Sequence, residues 1–502
     1  MKYVFRTRPY KHQRDAMVRL LRGFKEGKHA ALLMEPRVGK TKTTIDTVSA
    51  LAMKHGLRKV LIVAPNRVLG TWLHEISVHC PLVSQAIIWD KEARQRPIPQ
   101  PSPAVDVQFV LVNYDAFSTP GRKLKSGRRS KANGRFKTRT LVQKWVGVGP
   151  AACVLDESHK IKSPSGKWSS MIVSMRKLFR WRFILTGTPV TKAKRAHDIY
   201  MQWKWMDQLP RWGQSVDDFK AHTGRWIGHN GFPQWVGPRA EGMADLKRLL
   251  SRDAVIVRRE DCFDLPPRES RIIDVPLSAR TARHYDEMAQ EMVTQLESGD
   301  IAEASIPLVV TLRLQQITGG FVGIQERRVI GGKRKLVSVP HRISWEKIEA
   351  LRELMLDEVI ETEQKVVIGA RFVPDLNAIA KLCQEMKIPV WQIRGGLKRE
   401  ETDDAIRRFR GHEGAGAMVI QPAAASLGID LSTAAQMVWY SLTPSWVDFT
   451  QACDRIALSR RSTTFTYLLA EGTVDRLVYD ALMLDGEVNK QIMHNPSSIL
   501  RH

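Results

Sequence analysis

Short runs of consecutive apolar residues recur along this chain, each closed by a polar or turn-forming stretch. In the first half these are Ala30-Ala31-Leu32-Leu33-Met34, Val60-Leu61-Ile62-Val63-Ala64, Phe109-Val110-Leu111-Val112, Ala151-Ala152-Cys153-Val154-Leu155 and Phe183-Ile184-Leu185. Strands buried on both faces read this way, because helices cover both sides of a parallel sheet. Between the runs the period becomes helical. Ala16, Met17, Leu20, Leu21 and Phe24 share one helical face, as do Leu69, Trp72, Leu73 and Ile76. The second half repeats the pattern, with predicted strands at Lys365–Ala370, Val390–Ile393, Ala417–Ile420 and Met437–Tyr440. Alternating strands and helices predict an α/β fold. The chain therefore reads as two parallel-sheet lobes in tandem.

Two stretches break the pattern. Residues 116–155 contain no acidic residue, and Arg122–Arg139 hold nine basic residues among Gly, Ser and Asn. This predicts a loop, spanning about 119–141, rather than a packed element. Such a loop is either a solvated surface or an arm that touches phosphates through Arg122, Lys123, Arg128, Arg129 and Lys131. Gly320–Val339 reads as a β-hairpin with strands Phe321–Gln325 and Lys335–Val339 and Gly331-Gly332 near its turn. Its cluster of Arg327, Arg328, Lys333, Arg334 and Lys335 is a second candidate phosphate contact.

Composition narrows the choice of partner. A length of 502 residues implies two or three domains. Lys and Arg outnumber Asp and Glu by 78 to 52, a net charge of +26. That excess points to a polyanion, most simply nucleic acid. The five cysteines are scattered without a Cys-x-x-Cys pair, so neither a zinc site nor a disulfide framework is expected. A reducing compartment is the natural reading. With no apolar run of 18 residues and no apolar leader at the N-terminus, neither a membrane span nor a signal peptide is expected.

Chemistry concentrates after the apolar runs. The first is followed by Glu35-Pro36-Arg37-Val38-Gly39-Lys40-Thr41 and then a helical pattern. Strand, tight loop and helix ending in Gly-Lys-Thr make a phosphate-binding loop, although the full pattern asks for Gly where Met34 stands. The backbone N–H groups of Arg37, Val38, Gly39, Lys40, Thr41 and Lys42 and the helix N-terminus would hold a phosphate chain. Lys40 would reach the outer phosphates, and Thr41 would offer its hydroxyl to Mg²⁺. Upstream, Gln13 on its own reads as a surface residue, or as a reader of an adenine edge, since its amide both donates and accepts. The fourth run leads into Asp156-Glu157-Ser158-His159. A carboxylate pair at the carboxyl end of such a strand suits a metal ligand (Asp156) and a base that orients or deprotonates water (Glu157). Thr186-Gly187-Thr188-Pro189 closes the next run and could bridge the carboxylates to a neighbouring lobe.

Taken in order, these motifs resemble the Swi/Snf-type branch of the superfamily-two helicases. The resemblance rests on Gln13, Glu35–Thr41, Pro65 through Trp72 to Glu75, Asp156–His159 and Leu185–Pro189. It extends to Val257-Arg258-Arg259, Leu265-Pro266-Pro267-Arg268 and Gln451-Ala452-Cys453-Asp454-Arg455. It covers about Arg8 to Tyr479 and implies two RecA-like lobes. The first, at 1–257, would bind ATP and carry a Trp-rich helical protrusion at 190–250. A linker and insertion at 258–343 and a second lobe at 344–502 would follow. By the same resemblance Lys40, Thr41 and Asp156 hold ATP and Mg²⁺, Glu157 activates water, Gly428 and Asp430 border the nucleotide, and Arg455 meets the transferring phosphoryl. It also implies a monomeric motor translocating on duplex or branched DNA, in the cytoplasm, at the nucleoid, or in a host cell if viral. The compact length suggests a bare motor of phage or bacterial origin.

Two positions depart from the family pattern. Leu458 stands where a second Arg is usual, so Arg460 or Arg461 substitutes, Arg455 works alone, or turnover is weak. Arg37 stands where Gly is usual, and its guanidinium either binds charge or points to solvent. A strand-separating helicase on DNA or RNA, with the hairpin as wedge, is the alternative activity. A nucleic-acid clamp without hydrolysis is the alternative from another class.

Overall fold

In the computed structural model, residues 3–117, 133–192, 195–229, 232–263, 268–297, 306–330, 333–427, 429–434, 436–456 and 462–493 are described. The chain divides into one unit of Met1–Asp264 with Asp485–His502 and another of Leu265–Leu484.

In the first unit the apolar runs become strands β1 (Ala30–Met34), β2 (Lys59–Ala64), β3 (Ser84–Ile88), β4 (Val107–Asn113), β5 (Ala151–Asp156) and β6 (Trp181–Thr186). A hairpin, β7 (Gly224–His229) and β8 (Phe232–Pro238), precedes β9 (Ala254–Val257). Seven strands form one sheet in the order β3-β4-β2-β5-β6-β1-β9, and all of its pairings are parallel. The pleat sends alternate residues to opposite faces. Leu33, Leu61, Val63, Val110, Val112 and Leu155 thus enter one core with Trp145, Trp203 and Trp205. Leu32, Met34, Ile62, Leu111, Val154 and Leu185 enter a second core with Ile45, Val48 and Trp72. Helices α1 (Lys11–Lys25), α2 (Lys40–His55) and α3 (Leu69–His79) supply much of that second face.

The basic stretch is not wholly a loop. Residues 118–132, and with them Arg122, Lys123, Arg128, Arg129 and Lys131, lie outside the described residues. From Asn133 the chain is helical, as α4 (Asn133–Val146). The reason is an apolar stripe that charge counting hides. Thr138, Val142, Trp145 and Val146 follow helical spacing and are all buried, and Trp145 Nε1 donates to Gln108 Oε1 at 2.8 Å. The Trp-rich segment is likewise mixed. Its helices Ile199–Trp205, Val216–Thr223 and Ala240–Asp253 flank the β7–β8 hairpin, in whose register Trp226 is opposite Trp235. Trp203 and Trp205 are fully buried and pack in the core of this unit.

The second unit opens with β10 (Arg268–Val275) and the helices Ala279–Glu297 and Ile306–Thr318. The hairpin follows, with β11 (Phe321–Ile330) and β12 (Lys333–Arg342) twice as long as the sequence pattern predicts. Side chains of Lys333, Arg334 and Lys335 are outside the described set. Strands β13 (Lys365–Gly369), β14 (Val390–Ile393), β15 (Gly416–Ile420), β16 (Gln436–Trp439) and β17 (Thr463–Ala470) complete the unit. Its sheet runs β10-β17-β16-β13-β15-β14, again parallel throughout. Strand β10, which the sequence pattern leaves in the linker, is an edge strand of this sheet. Its eight residues alternate too little in polarity to announce a strand, and its pairing with β17 is what defines it. No helix among the described residues is long and apolar enough to cross a membrane.

Candidate functional site in the first unit

The carboxyl ends of four neighbouring strands carry the candidate chemistry. Parallel registers set Asp156 beside Leu185, Leu33 beside Thr186, and Met34 beside Val257. The phosphate loop, the Thr186–Pro189 turn and the Asp156-Glu157 pair therefore emerge side by side. This is the end of an open α/β sheet where ligands bind.

The phosphate loop is built on two left-handed residues, Arg37 at φ 67° and Gly39 at φ 91°. Gly39 suits such a φ at no steric cost, whereas Arg37 adopts it against the Cβ penalty of an L-residue. Gly39 is also required for a second reason. A Cβ there would collide with Gln13 Nε2. Gln13 is 6% exposed. Its Nε2 donates to Val38 O at 3.4 Å, and its Oε1 accepts from Tyr10 N at 3.0 Å. The amide expected to read a base is thus engaged in shaping the loop from behind. His12 Nε2 lies 2.9 Å from Val38 O and reinforces the same carbonyl.

Helix α2 begins at Lys40, so its first N–H groups and the positive end of its dipole face the loop. Lys40 Nζ donates to Met34 O at 2.8 Å and Glu35 O at 3.2 Å. Thr41 is partly exposed beside it. Lys42, expected among the nucleotide-binding residues, turns its side chain away. It is 7% exposed, its Nζ lies 2.8 Å from Asp46 Oδ2, and it donates to Thr7 O. One helical turn separates Lys42 from Asp46, so this ammonium belongs to the packing of α2. Its backbone alone is left for a phosphate.

The loop is tied to what surrounds it. Glu35 Oε2 accepts from Arg259 N at 2.9 Å, and Glu35 N donates to Val257 O at 3.0 Å. A Cβ on Gly187 would press on Pro36 Cδ and Met34 O at 3.0 and 3.1 Å, which shows how closely the Thr-Gly-Thr-Pro turn backs the loop.

Asp156 is held from three sides. Trp72 Nε1 donates to its Oδ2 at 2.8 Å, Glu157 N donates to its Oδ1 at 3.0 Å, and Tyr114 Oη donates to its main-chain oxygen at 2.7 Å. Burial and the neighbouring Glu157 raise its carboxyl to about 6, against the opposing pull of the Trp72 hydrogen bond and of Lys40. Glu157 has a left-handed backbone, φ 52°, and its Oε2 lies 3.4 Å from His159 Nδ1. His159 is buried, and burial, with Lys160 and Lys162 nearby, pushes its imidazole down to about 3. It is therefore neutral near pH 7 and acts by hydrogen bonding. Its Nδ1 lies 3.2 Å from Thr186 Oγ1 and 3.4 Å from Thr188 Oγ1. Ser158 Oγ donates to Gln202 Oε1, whose amide donates to Pro189 O. The carboxylate loop and the threonine turn thus form one bonded unit.

This donor set fits a nucleotide with a divalent cation. A hydroxyl at Thr41 and a carboxylate at Asp156 are the hard oxygen donors that Mg²⁺ takes. Lys40 and the α2 N–H groups provide the positive surround for phosphates. Trp72 and Tyr114 are the contributors that spacing alone does not reveal. An indole on the apolar face of a helix signals packing until its distance to Asp156 is known.

In the second unit Arg455 is 8% exposed, and its main-chain oxygen accepts from Leu431 N at 3.0 Å. That bond joins the segment after helix Trp446–Cys453 to the Asp430 loop. Asp430 Oδ1 accepts from Ser432 N, and its Oδ2 lies 3.7 Å from Arg410. Gly428, Leu458, Arg460 and Arg461 lie outside the described residues.

Residues 12–319 match the model of the SNF2-related domain, and residues 346–458 match that of the helicase conserved C-terminal domain. Among curated proteins the chain is similar to the ISWI chromatin-remodeling complex ATPase CHR11 of Arabidopsis thaliana. That relative is 22% identical over 94% of this chain and 42% of its own length. It is also similar to the human DNA annealing helicase and endonuclease ZRANB3, at 22% identity over 70% of this chain and 30% of that protein. The chain thus spans less than half the length of these relatives. Among solved structures the Sulfolobus solfataricus SWI2/SNF2 ATPase core in complex with dsDNA aligns over 98% of this chain and 96% of that one. The two share 19% identity, with a TM-score of 0.41.

Proposed function

The chain belongs to the SNF2-related family, and on that premise we propose that it is an ATP-hydrolysing motor that moves along double-stranded DNA. The observation that carries the reading is the alignment of phosphate loop, threonine turn and carboxylate pair on adjacent strand ends. Lys40 and the N-terminus of α2 bind the triphosphate. Thr41 and Asp156 hold Mg²⁺, which neutralises charge on the phosphates when bound. Glu157 orients the attacking water and accepts its proton. His159 bonds to Thr186 and Thr188 and so ties the Asp156–His159 loop that carries the base to the threonine turn.

The net charge of +26 supports a polyanionic track. Duplex DNA is favoured over single strands by the family and by relatives whose names place them on chromatin and annealing DNA. The test is ATP-dependent displacement of a third strand from a DNA triplex. A translocase removes the third strand and leaves the underlying duplex paired. Separation of the duplex itself would establish a helicase instead, and no displacement at all would overturn a motor.

A further inference from the structure

Trp72 stands in an unusual place for a core residue. It is 2% exposed on α3, its ring packs in the core beneath the sheet, and yet its one polar atom reaches the carboxylate at the end of β5. Asp156 has few other ways to fix its side chain. Oδ1 is taken by the N–H of Glu157, which follows it in the chain, and Tyr114 holds only the main chain. Among the described residues, the indole N–H is therefore the donor that anchors Oδ2 from a distant element.

An N–H donor occupies one lone-pair direction of a carboxylate oxygen and leaves the others open. It also costs nothing in conformational entropy here, because the indole is already locked in the core. Outer partners of this kind orient metal-binding groups, and their loss typically weakens metal affinity ~10–100-fold.

We propose that Trp72 is a positioning residue for the divalent cation, fixing the Asp156 carboxylate so that its remaining lone pairs face the cation beside the phosphate loop. This rests on the reading of Asp156 as a metal ligand. The consequence is specific: cation affinity is set from α3, while affinity for the nucleotide itself is set by Lys40 and the loop.

The test is Mn²⁺ binding, followed by electron paramagnetic resonance, in the presence of a non-hydrolysable ATP analogue. Trp72→Phe keeps a ring and removes the donor. Replacing Trp72 with benzothienylalanine keeps the full bicyclic volume and removes only the N–H, which serves if the Phe variant does not fold. The expected result is that both weaken Mn²⁺ affinity by ~10-fold or more, while analogue affinity measured with EDTA is unchanged. Wild-type Mn²⁺ affinity in either folded variant overturns the proposal, as does an equal loss of analogue affinity with and without metal. Absence of any analogue-dependent Mn²⁺ binding in the unsubstituted protein is a different failure, and removes Asp156 as a ligand altogether.

Discussion

His159 Nδ1 lies 3.4 Å from Glu157 Oε2, and the same nitrogen lies 3.2 Å from Thr186 Oγ1. One buried, neutral imidazole therefore sits beside the proposed base and bonds to the neighbouring strand end. Two variants separate the roles. Glu157→Gln removes the base and is expected to lower kcat ~10²–10⁴-fold with little change in ATP affinity. His159→Ala keeps the carboxylate and cuts its loop loose from the threonine turn, lowering kcat about 10–100-fold. Stopped-flow nucleotide binding with steady-state turnover checks both. Equal losses in the two would place the chemistry on His159.

Arg37 sits at φ 67°, in the phosphate loop, where the family usually has Gly. Arg37→Gly and Arg37→Ala both remove the guanidinium, but only Gly is at ease in that backbone. The Gly variant is expected to be more stable than the Ala variant by about 1 kcal/mol, read from urea midpoints. Equal midpoints would mean the loop relaxes around any side chain.

Asp375 is fully buried in the second unit and accepts from Ser441 Oγ at 2.8 Å. Burial raises its carboxyl to about 7, whereas in the unfolded chain it titrates near ~3.9. Between these values the folded chain holds a proton that the unfolded chain has released. Its contribution to stability therefore falls as pH rises through that window, by up to ~1.4 kcal/mol per pH unit. Asp375→Asn is neutral throughout and escapes the effect. Its Tm relative to the unsubstituted chain is expected to rise between pH 5 and pH 8. A difference independent of pH would contradict the assignment.

Much of the first unit is legible because its strands are unbroken apolar runs and its chemistry sits directly after them. The phosphate loop and the Asp156-Glu157 pair need only local spacing to be seen. What local spacing misses is the meeting of distant segments. Strand β10 is recognisable only through β17, the helical stripe of α4 is hidden within a basic stretch, and Trp72 meets Asp156 across 84 residues. The fate of the Lys42 side chain is likewise settled by a residue outside the motif. Asp46, one turn on, takes its ammonium, while its backbone N–H stays at the start of α2.

We propose that the basic residues Arg122–Lys131 contact DNA phosphates. Among the described residues flanking this stretch, Thr138 Oγ1 donates to Ala116 O at 2.9 Å. Neutralising Arg122, Lys123, Arg128, Arg129 and Lys131 together is expected to weaken DNA binding. The slope of log affinity against log salt should fall in magnitude by about 0.9 for each duplex phosphate that the arm no longer neutralises. Titration at several salt concentrations reads this directly, and an unchanged slope would remove the arm from the interface.

The central claim, hydrolysis driven by duplex DNA, is tested most directly by steady-state ATPase rates with blunt duplex, branched and single-stranded DNA and with RNA. Glu157→Gln gives the background. Duplex or branched DNA is predicted to stimulate the unsubstituted protein well above both single strands and RNA. A rate that no nucleic acid raises above that of Glu157→Gln would contradict the account.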